Sequence, residues 1–265
     1  MIILKKLYVT QVSYVHCHCK IMEKLIRKKI VDHFHRHSLF SNRQFGFIGE
    51  RSTALQLLVV LEHWTSILDE GGAIDAIYTD FMKAFDKVLH KRLINKLKSY
   101  RISDQTYLWI CNFLSNRKQR VEVNGEFSQW HNVTSGIPQG SVLGPILFVV
   151  FINDLPDCVD SEVFMFADDT KLYRTIAHQS DIQTVQNDIN NLFNWSEKWL
   201  LCFHLDKCKV LPITTKHSSN RENERYQMPT YEGSITTLVT LNCEKDVHCR
   251  CKHWFQFEVR PTHSD

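Results

Sequence analysis

Val163-Phe164-Met165-Phe166-Ala167-Asp168-Asp169-Thr170-Lys171-Leu172-Tyr173 sets two adjacent aspartates between apolar, strand-like runs. The stretch reads as a β-hairpin with Ala167-Asp168-Asp169 at its tip. A second strand-like run, Ala76-Ile77-Tyr78-Thr79-Asp80-Phe81, ends on a third aspartate, Asp80. Carboxylates at the ends of core strands are costly unless something compensates their charge. A divalent metal is the usual compensation, and three carboxylates suffice to hold a pair of hard ions. Two such ions clamp the attacking and leaving oxygens of a phosphoryl displacement. An aspartate pair at a turn is weak by itself, because Asp is a common turn residue. Asp86 and Asp154 read as surface or helix-end residues. The pattern gains weight from a third segment, Ser135-Gly136-Ile137-Pro138-Gln139-Gly140-Ser141-Val142-Leu143-Gly144-Pro145. There Gly136 and Gly140 let backbone approach a ligand closely, and Gln139 can read a polar edge. The bland reading of that segment is a glycine-rich connection into a buried helix.

With 265 residues, 43% hydrophobic and 23% charged, the chain has globular composition and room for one large domain or two small ones. A formal net charge of +3 says little about partners. Local charge says more: Lys20, Lys24, Arg27, Lys28, Lys29 and Arg36 stand with three histidines against Glu23 and Asp32. Such a stretch suits phosphates, although a solvated helix face is the ordinary reading. Nine cysteines follow no repeating frame, which points to free thiols in a reducing compartment. His16-Cys17-His18-Cys19 and the tract from Cys243 to His253 lack paired ligands at zinc-finger spacing. The start, Met1 to Leu7, is apolar then basic, the wrong order for a secretory signal. The longest apolar run, Val142 to Ile152, is too short to span a bilayer. The expected setting is intracellular, in cytoplasm or nucleus, without membrane.

Helical spacing covers Lys20 to Phe34. Ser52 or Thr53 caps a helix from Ala54 to Leu68, stopped by Gly71-Gly72. Ile74 to Tyr78 reads as a strand. Short helices follow through Lys83-Ala84-Phe85 and from Lys91 to Ser99, and Ser103-Asp104 opens another to Leu114. Asn124-Gly125 between Arg120–Val123 and Phe127–Val133 signals a hairpin with a primed turn. Val142 to Asp154 reads as a buried helix. Ser180-Asp181-Ile182-Gln183 reads as a capping box opening a long helix, with Ile182, Val185, Ile189, Leu192, Phe193 and Trp199 on one face. Lys209 to Thr214 reads as a last strand. Beyond Lys216 the periodicity fades, and residues 216–265 are expected to be a degenerate, poorly ordered tail.

Taken together, these blocks resemble the reverse transcriptase domain of non-LTR (LINE-like) retrotransposons, especially the jockey-like group. Asp80-Phe81-Met82-Lys83-Ala84-Phe85-Asp86-Lys87-Val88 is similar to the family's first catalytic block. Ser135 to Pro145 is similar to the block that positions template and nucleotide, and Phe166-Ala167-Asp168-Asp169 to the catalytic hairpin. Lys198-Trp199-Leu200-Leu201 through Asp206-Lys207-Cys208-Lys209 resembles the block that follows. Upstream, Cys19 to Ile26, Gln44-Phe45-Gly46-Phe47 and Arg51-Ser52-Thr53 resemble the fingers region. The similarity runs from residue 13 to 215, after a divergent lead-in of residues 1–12.

The resemblance implies an α/β (α+β) palm-and-fingers fold, a small antiparallel sheet backed by helices, with the thumb largely outside the chain. It implies RNA-directed DNA polymerase activity with an RNA template, a DNA primer and deoxynucleoside triphosphates as partners. Asp80 and Asp168 would bind two magnesium ions, with manganese as a substitute; Asp169 would support them, and the Phe81 carbonyl would be a further ligand. Phe85 matches the steric gate against a ribose 2′-hydroxyl. Gln139 and Gly140 would flank the templating pair, Arg51 would approach the triphosphate or template, and Lys207 would protonate the pyrophosphate leaving group. Packing is an equal reading for Phe85, and solvated surface for Lys207.

Departures from the family bear on present activity. Ile48 stands where an arginine usually follows Gly-Phe, with Gly49 and Glu50 after it. Losing one charge-assisted contact costs about 1.5–3 kcal/mol, roughly ten- to a hundredfold in rate or affinity. Leu205 replaces a common proline. Glu244-Lys245-Asp246-Val247 resembles family sequence and His248 onward does not, which reads as a frame-shifted end of a decayed copy. The alternative to an active polymerase is a catalytically silent fragment that keeps the fold and weak nucleic-acid binding. An RNA replicase or DNA-templated polymerase shares the metal chemistry, but the Phe-Ala-Asp-Asp and Gly-Ile-Pro-Gln-Gly blocks oppose it.

Overall fold

The structure, a computed structural model, describes residues 17–138, 140–214 and 226–241. In chain order the first elements are α1 (Cys17–Arg36), α2 (Thr53–Asp69), β1 (Ala73–Thr79), α3 (Ala84–Lys87), α4 (His90–Ser99) and α5 (Asp104–Leu114). Then come four two-residue strands, β2 (Lys118–Gln119), β3 (Glu122–Val123), β4 (Glu126–Phe127) and β5 (His131–Asn132), and helix α6 (Gly144–Ile152). The remainder is β6 (Glu162–Phe166), β7 (Asp169–Thr175), α7 (Gln179–Trp199), β8 (Lys209–Thr214), β9 (Gln227–Pro229), β10 (Ile235–Thr237) and β11 (Val239–Thr240). No described helix is long and apolar enough to cross a membrane.

Local chemistry explains most boundaries. Ser52 caps α2 by accepting the Leu55 N–H at 3.1 Å. Asn124 and Gly125 both adopt positive φ (53° and 85°), the primed turn expected between β3 and β4. Helix α6 starts later than the apolar run does, because the Ser141 hydroxyl accepts the Leu143 and Gly144 N–H groups, each at 3.1 Å. The cap of α7 is displaced from Ser180. Asp181 reaches back to the N–H groups of His178 (2.8 Å) and Ala177 (3.0 Å), so Ser180 lies inside the first turn.

Contacts divide the chain into two compact units. The first comprises Met1–Leu39 and Phe85–Phe151, the second Phe40–Ala84 and Ile152–Asp265. The expected boundaries at 12/13 and 215/216 lie outside the described residues. In the first unit, α6 is apolar all round and Ile146 to Phe151 have no exposed surface. The buried Lys96 ammonium donates to the Phe151 carbonyl near the C-terminus of α6, where a cation is favoured.

The second unit is built on a five-stranded sheet in the order β11-β8-β1-β7-β6, antiparallel except for the parallel β11–β8 pair. Central β1 is apolar because both its faces are covered. Ile74 and Ala76 join Phe45, Val60, Phe164 and Tyr173 in a core cluster, with Trp64 and Ile67 of α2 packed against it. On the alternate positions, the buried Asp75 carboxylate accepts the Tyr226 hydroxyl at 2.7 Å. The edge of β6 is covered by residues 43–45: Met165 donates to the Arg43 carbonyl and Phe45 to that of Met165, both at 2.8 Å.

The expectation of a poorly ordered tail is corrected for residues 226–241. Tyr226, Met228 and Leu238 are buried, β9 pairs with β10, and β11 extends the sheet. Strands of two or three residues are too short to show periodicity in sequence. The remaining tail, including the foreign stretch from His248 and the Cys243–His253 tract, lies outside the described residues. If Tyr226 anchors this segment, Tyr226→Phe should lower unfolding free energy by about 1–3 kcal/mol, the cost of removing one partner of a buried hydrogen bond. Urea denaturation reads this as a lower midpoint, and an unchanged midpoint would remove the anchoring role.

Candidate active site

Strand register brings the aspartates together. Thr79, the last residue of β1, lies opposite Thr170 of β7, so Asp80 and Asp169 follow at the same end of the two strands. Phe166 pairs with Asp169, which leaves Ala167-Asp168 as a two-residue turn. All three acidic residues therefore collect at one end of the central strands. Asp80 accepts the Lys207 ammonium at 2.7 Å, with the two side chains 30% and 58% exposed. Lys207 stands on a single 3₁₀ turn, Leu205–Lys207. A backbone bridge fastens the segments before it: His204 donates to the Asp80 carbonyl at 2.7 Å, and Met82 to that of Cys202 at 2.8 Å. Phe81 stacks on Phe203 at 4.4 Å between centroids, and its own carbonyl takes no part in the bridge. The Phe203 N–H in turn donates to the Tyr231 hydroxyl at 2.7 Å.

Burial pushes the Asp168 pKa above the usual carboxylate range, and the neighbouring Asp80 charge adds to the rise. Its own backbone N–H and Lys207 act in the opposite direction. Burial also pushes the nearby Cys208 thiol up to about 11, so it stays protonated at neutral pH. The described cysteines Cys19, Cys111, Cys158, Cys202 and Cys208 are free thiols.

The aspartate turn is held by a residue whose role sequence reasoning missed. Ala167 adopts φ 54°, a left-handed conformation disfavoured for a residue with a Cβ. Gln44, wholly buried, grips it on both sides. Its carbonyl oxygen accepts the N–H groups of Ala167 (2.9 Å) and Gly46 (2.7 Å), and its amide donates to the Ala167 carbonyl at 3.3 Å. Gly46 is required by proximity, since a Cβ there would stand 2.3 Å from the Ala167 nitrogen. Arg51 is directed into the same loop. Its guanidinium donates to the carbonyls of Gln44 (2.5 Å) and Ser41 (2.6 Å) and lies over the Phe45 ring. Ile48, in the position of the departed arginine, is 6% exposed.

Phe85 and Gly140 belong to the other unit, and Gln139 lies outside the described residues. Phe85 is half-buried and stacks on Phe148 at 4.4 Å. Its carbonyl accepts the Ile137 N–H, and that of Val88 accepts the Gly136 N–H, both at 2.8 Å. Gly136 has φ 89° and would carry a Cβ 3.0 Å from the Asp86 carbonyl oxygen, so only glycine suits the position. A second missed residue, the buried Glu23, accepts the Ser141 hydroxyl at 2.6 Å and the Val142 N–H at 2.7 Å. It fixes the chain just after Gly140. The only sequence signal for Gln44 and Glu23 was their place inside family-like blocks.

Asp80, Asp168 and Asp169 offer the oxygen donors that hard divalent cations take. The Asp168 pKa is raised first by burial and then by the Asp80 charge, and a cation would offset both. Among the described residues no group of three His, Cys, Asp or Glu side chains stands so that it could hold a metal ion. The donors fit such ions in kind, while in this arrangement Lys207 supplies the counter-charge at Asp80.

Residues 6–228 match the family model described as reverse transcriptase (RNA-dependent DNA polymerase). The chain belongs to that family. Among curated proteins it is 30% identical, over 192 residues, to the probable RNA-directed DNA polymerase from transposon BS of Drosophila melanogaster, covering 69% of this chain and 21% of that protein. It is likewise 30% identical over 209 residues to the RNA-directed DNA polymerase from mobile element jockey of the same fly, covering 76% and 23%. The jockey-like resemblance drawn from the sequence blocks holds. The chain spans about a fifth of the length of these relatives. Among solved structures, apo telomerase from Candida tropicalis superposes with a TM-score of 0.56 at 14% identity, covering 84% of this chain and 44% of that one. The fold is therefore the reverse transcriptase fold.

If the Gln44 grip sets the aspartate turn of this reverse transcriptase chain, Gly46→Ala should destabilise it by about 1–3 kcal/mol through overpacking. Gln44→Leu should cost at least about 1–3 kcal/mol by leaving buried backbone groups unpaired. Equilibrium unfolding in urea measures both. Parent-like midpoints in the two variants would exclude the grip as a structural determinant.

Proposed function

We propose that this chain adds deoxynucleotides to a primer 3′ end on an RNA template, with magnesium as the resident ion and manganese as a substitute. The observation that supports this most is the β1–β7 register, whose last pair, Thr79 and Thr170, brings the strand ends that carry Asp80 and Asp169 to one edge of the sheet. In this reading Asp80, Asp168 and the Phe81 carbonyl hold the ions, and Asp169 supports them. When bound, the ions would lower the pKa of the primer hydroxyl and offset charge on the triphosphate. Lys207 protonates the departing pyrophosphate, its ammonium oriented by Asp80. Phe85, braced by Phe148, excludes the ribose 2′-hydroxyl. Gln139 and Gly140 flank the templating pair, while Arg51 reaches the triphosphate or template from a loop it also clasps. The setting we infer is intracellular, in cytoplasm or nucleus.

The second reading, a silent fragment with weak nucleic-acid binding, is favoured by Ile48, which puts a buried apolar side chain where the resemblance calls for a cation.

Primer extension on poly(rA)·oligo(dT) separates the two. Activity should require magnesium, disappear with chelator and fall to background in Asp168→Ala/Asp169→Ala. Lys207→Ala should slow extension about a hundredfold, the low end of general acid catalysis. Phe85→Ala should raise ribonucleotide incorporation, and unchanged sugar selection would remove the gate. No extension by the parent, with salt-sensitive binding to primer–template, would establish the silent fragment.

A further inference from the structure

The hairpin from Lys118 to Asn132 displays apolar surface that its fold does not require. Every residue in its four strands is exposed. Val123, Phe127 and Trp130 are 47%, 50% and 58% exposed. A two-stranded ribbon buries neither face, so no core calls for aromatic rings there. Exposed apolar surface rimmed by polar groups marks an interaction site.

The rings are held in place. The Arg120 guanidinium lies 3.8 Å from the Phe127 centroid and 4.7 Å from that of Trp130, bridging the two by cation–π contact. Ser128 joins the two ladders: its hydroxyl accepts the Val121 N–H at 2.8 Å, and its own N–H donates to the Val121 carbonyl at 2.9 Å. The primed Asn124-Gly125 turn closes the tip. Charge is divided along the ribbon. The tip ladder carries Glu122 and Glu126, while Lys118, Arg120 and His131 stand at the base with no carboxylate among residues 116–121 or 128–133.

We propose that the base of this hairpin binds single-stranded RNA. Bases stack on the solvent faces of Trp130 and Phe127, and phosphates meet Lys118 and Arg120. Stacking of this kind tolerates any sequence because every base has a π-face, and the cations make it salt-dependent. Glu122 and Glu126 repel phosphate from the tip and confine the strand to the base. The choice of RNA rests on the polymerase reading above; the platform itself does not use the catalytic aspartates.

Fluorescence anisotropy with a labelled oligoadenylate, titrated with salt, tests this. Phe127→Ala/Trp130→Ala should weaken binding about ten- to a hundredfold. Lys118→Ala should weaken it and flatten the salt dependence, and Glu122→Gln/Glu126→Gln should bind at least as tightly as the parent. Asp168→Ala/Asp169→Ala should keep the binding while losing primer extension, so failure of the polymerase reading is visible separately. Ultraviolet crosslinking of the parent should label the peptide spanning 118–132. Parent-like affinity in the Phe127/Trp130 variant, or crosslinks confined to other peptides, would overturn the proposal. So would tighter binding of the deoxy-oligomer, or self-association in sedimentation that Trp130→Ala abolishes, which would make the occupant DNA or a second copy of the chain.

Discussion

The pairing of β1 with β7 is the constraint on which the site depends. A slip of one residue would turn the side chains of one strand to the opposite face and part Asp80 from Asp169. Two features oppose a slip. The positions that set the register, Ile74, Ala76 and Tyr173, are buried in one cluster, and the turn between β6 and β7 allows only two residues outside the ladder. A core that specifies register therefore also specifies where three carboxylates meet. Burial of Asp168 beside the Asp80 charge is the cost of that arrangement, visible in its raised pKa.

The turn that carries Asp168 is unfavourable by itself. A left-handed alanine costs about 1–2 kcal/mol. Gln44 offsets this by pairing both backbone groups of Ala167, and Gly46 makes the approach sterically feasible. Arg51 then holds the Gln44 carbonyl. The order of dependence runs from an arginine in a loop, through a buried amide, to the backbone of the acidic turn. A similar dependence runs on the other side of the site, from Tyr231 through Phe203 to Asp80 and Phe81. Residues 226–241 thus contribute to the site although they carry none of its charged groups.

What the sequence disclosed was what is local. The Asn124-Gly125 turn, the Ser52 cap, the apolar run of α6 and the apolar runs around Asp168-Asp169 all express their structure within a few residues. Polar side chains with distant partners were opaque. Gln44 meets a partner 123 residues away, Glu23 one 118 away and Tyr226 one 151 away. A buried polar residue looks the same in sequence as an exposed one, because only its partner makes burial tolerable. The displaced α7 cap has a related cause: Ser180 and Asp181 are both capping residues, and geometry gave the task to the carboxylate. Arg51 shows the opposite limit. The family resemblance implied a ligand contact for it, whereas its immediate partners are backbone carbonyls.

The Asp80–Lys207 pair reconciles the geometry with the proposed metal chemistry. Taken alone, a lysine on a proposed metal ligand argues for a structural ion pair. The pair is largely solvent-accessible, however, and exposed pairs contribute at most about 1 kcal/mol. In the proposed reading a divalent ion would offer Asp80 a stronger partner, so Lys207 could be displaced at little cost. Displacement would leave the ammonium beside the ions, where the pyrophosphate departs in the proposed reaction. A cation that served only to stabilise the fold would gain from burial and a rigid stem; Lys207 has 58% of its side chain exposed and stands on a single 3₁₀ turn. Its placement suits a group that exchanges partners.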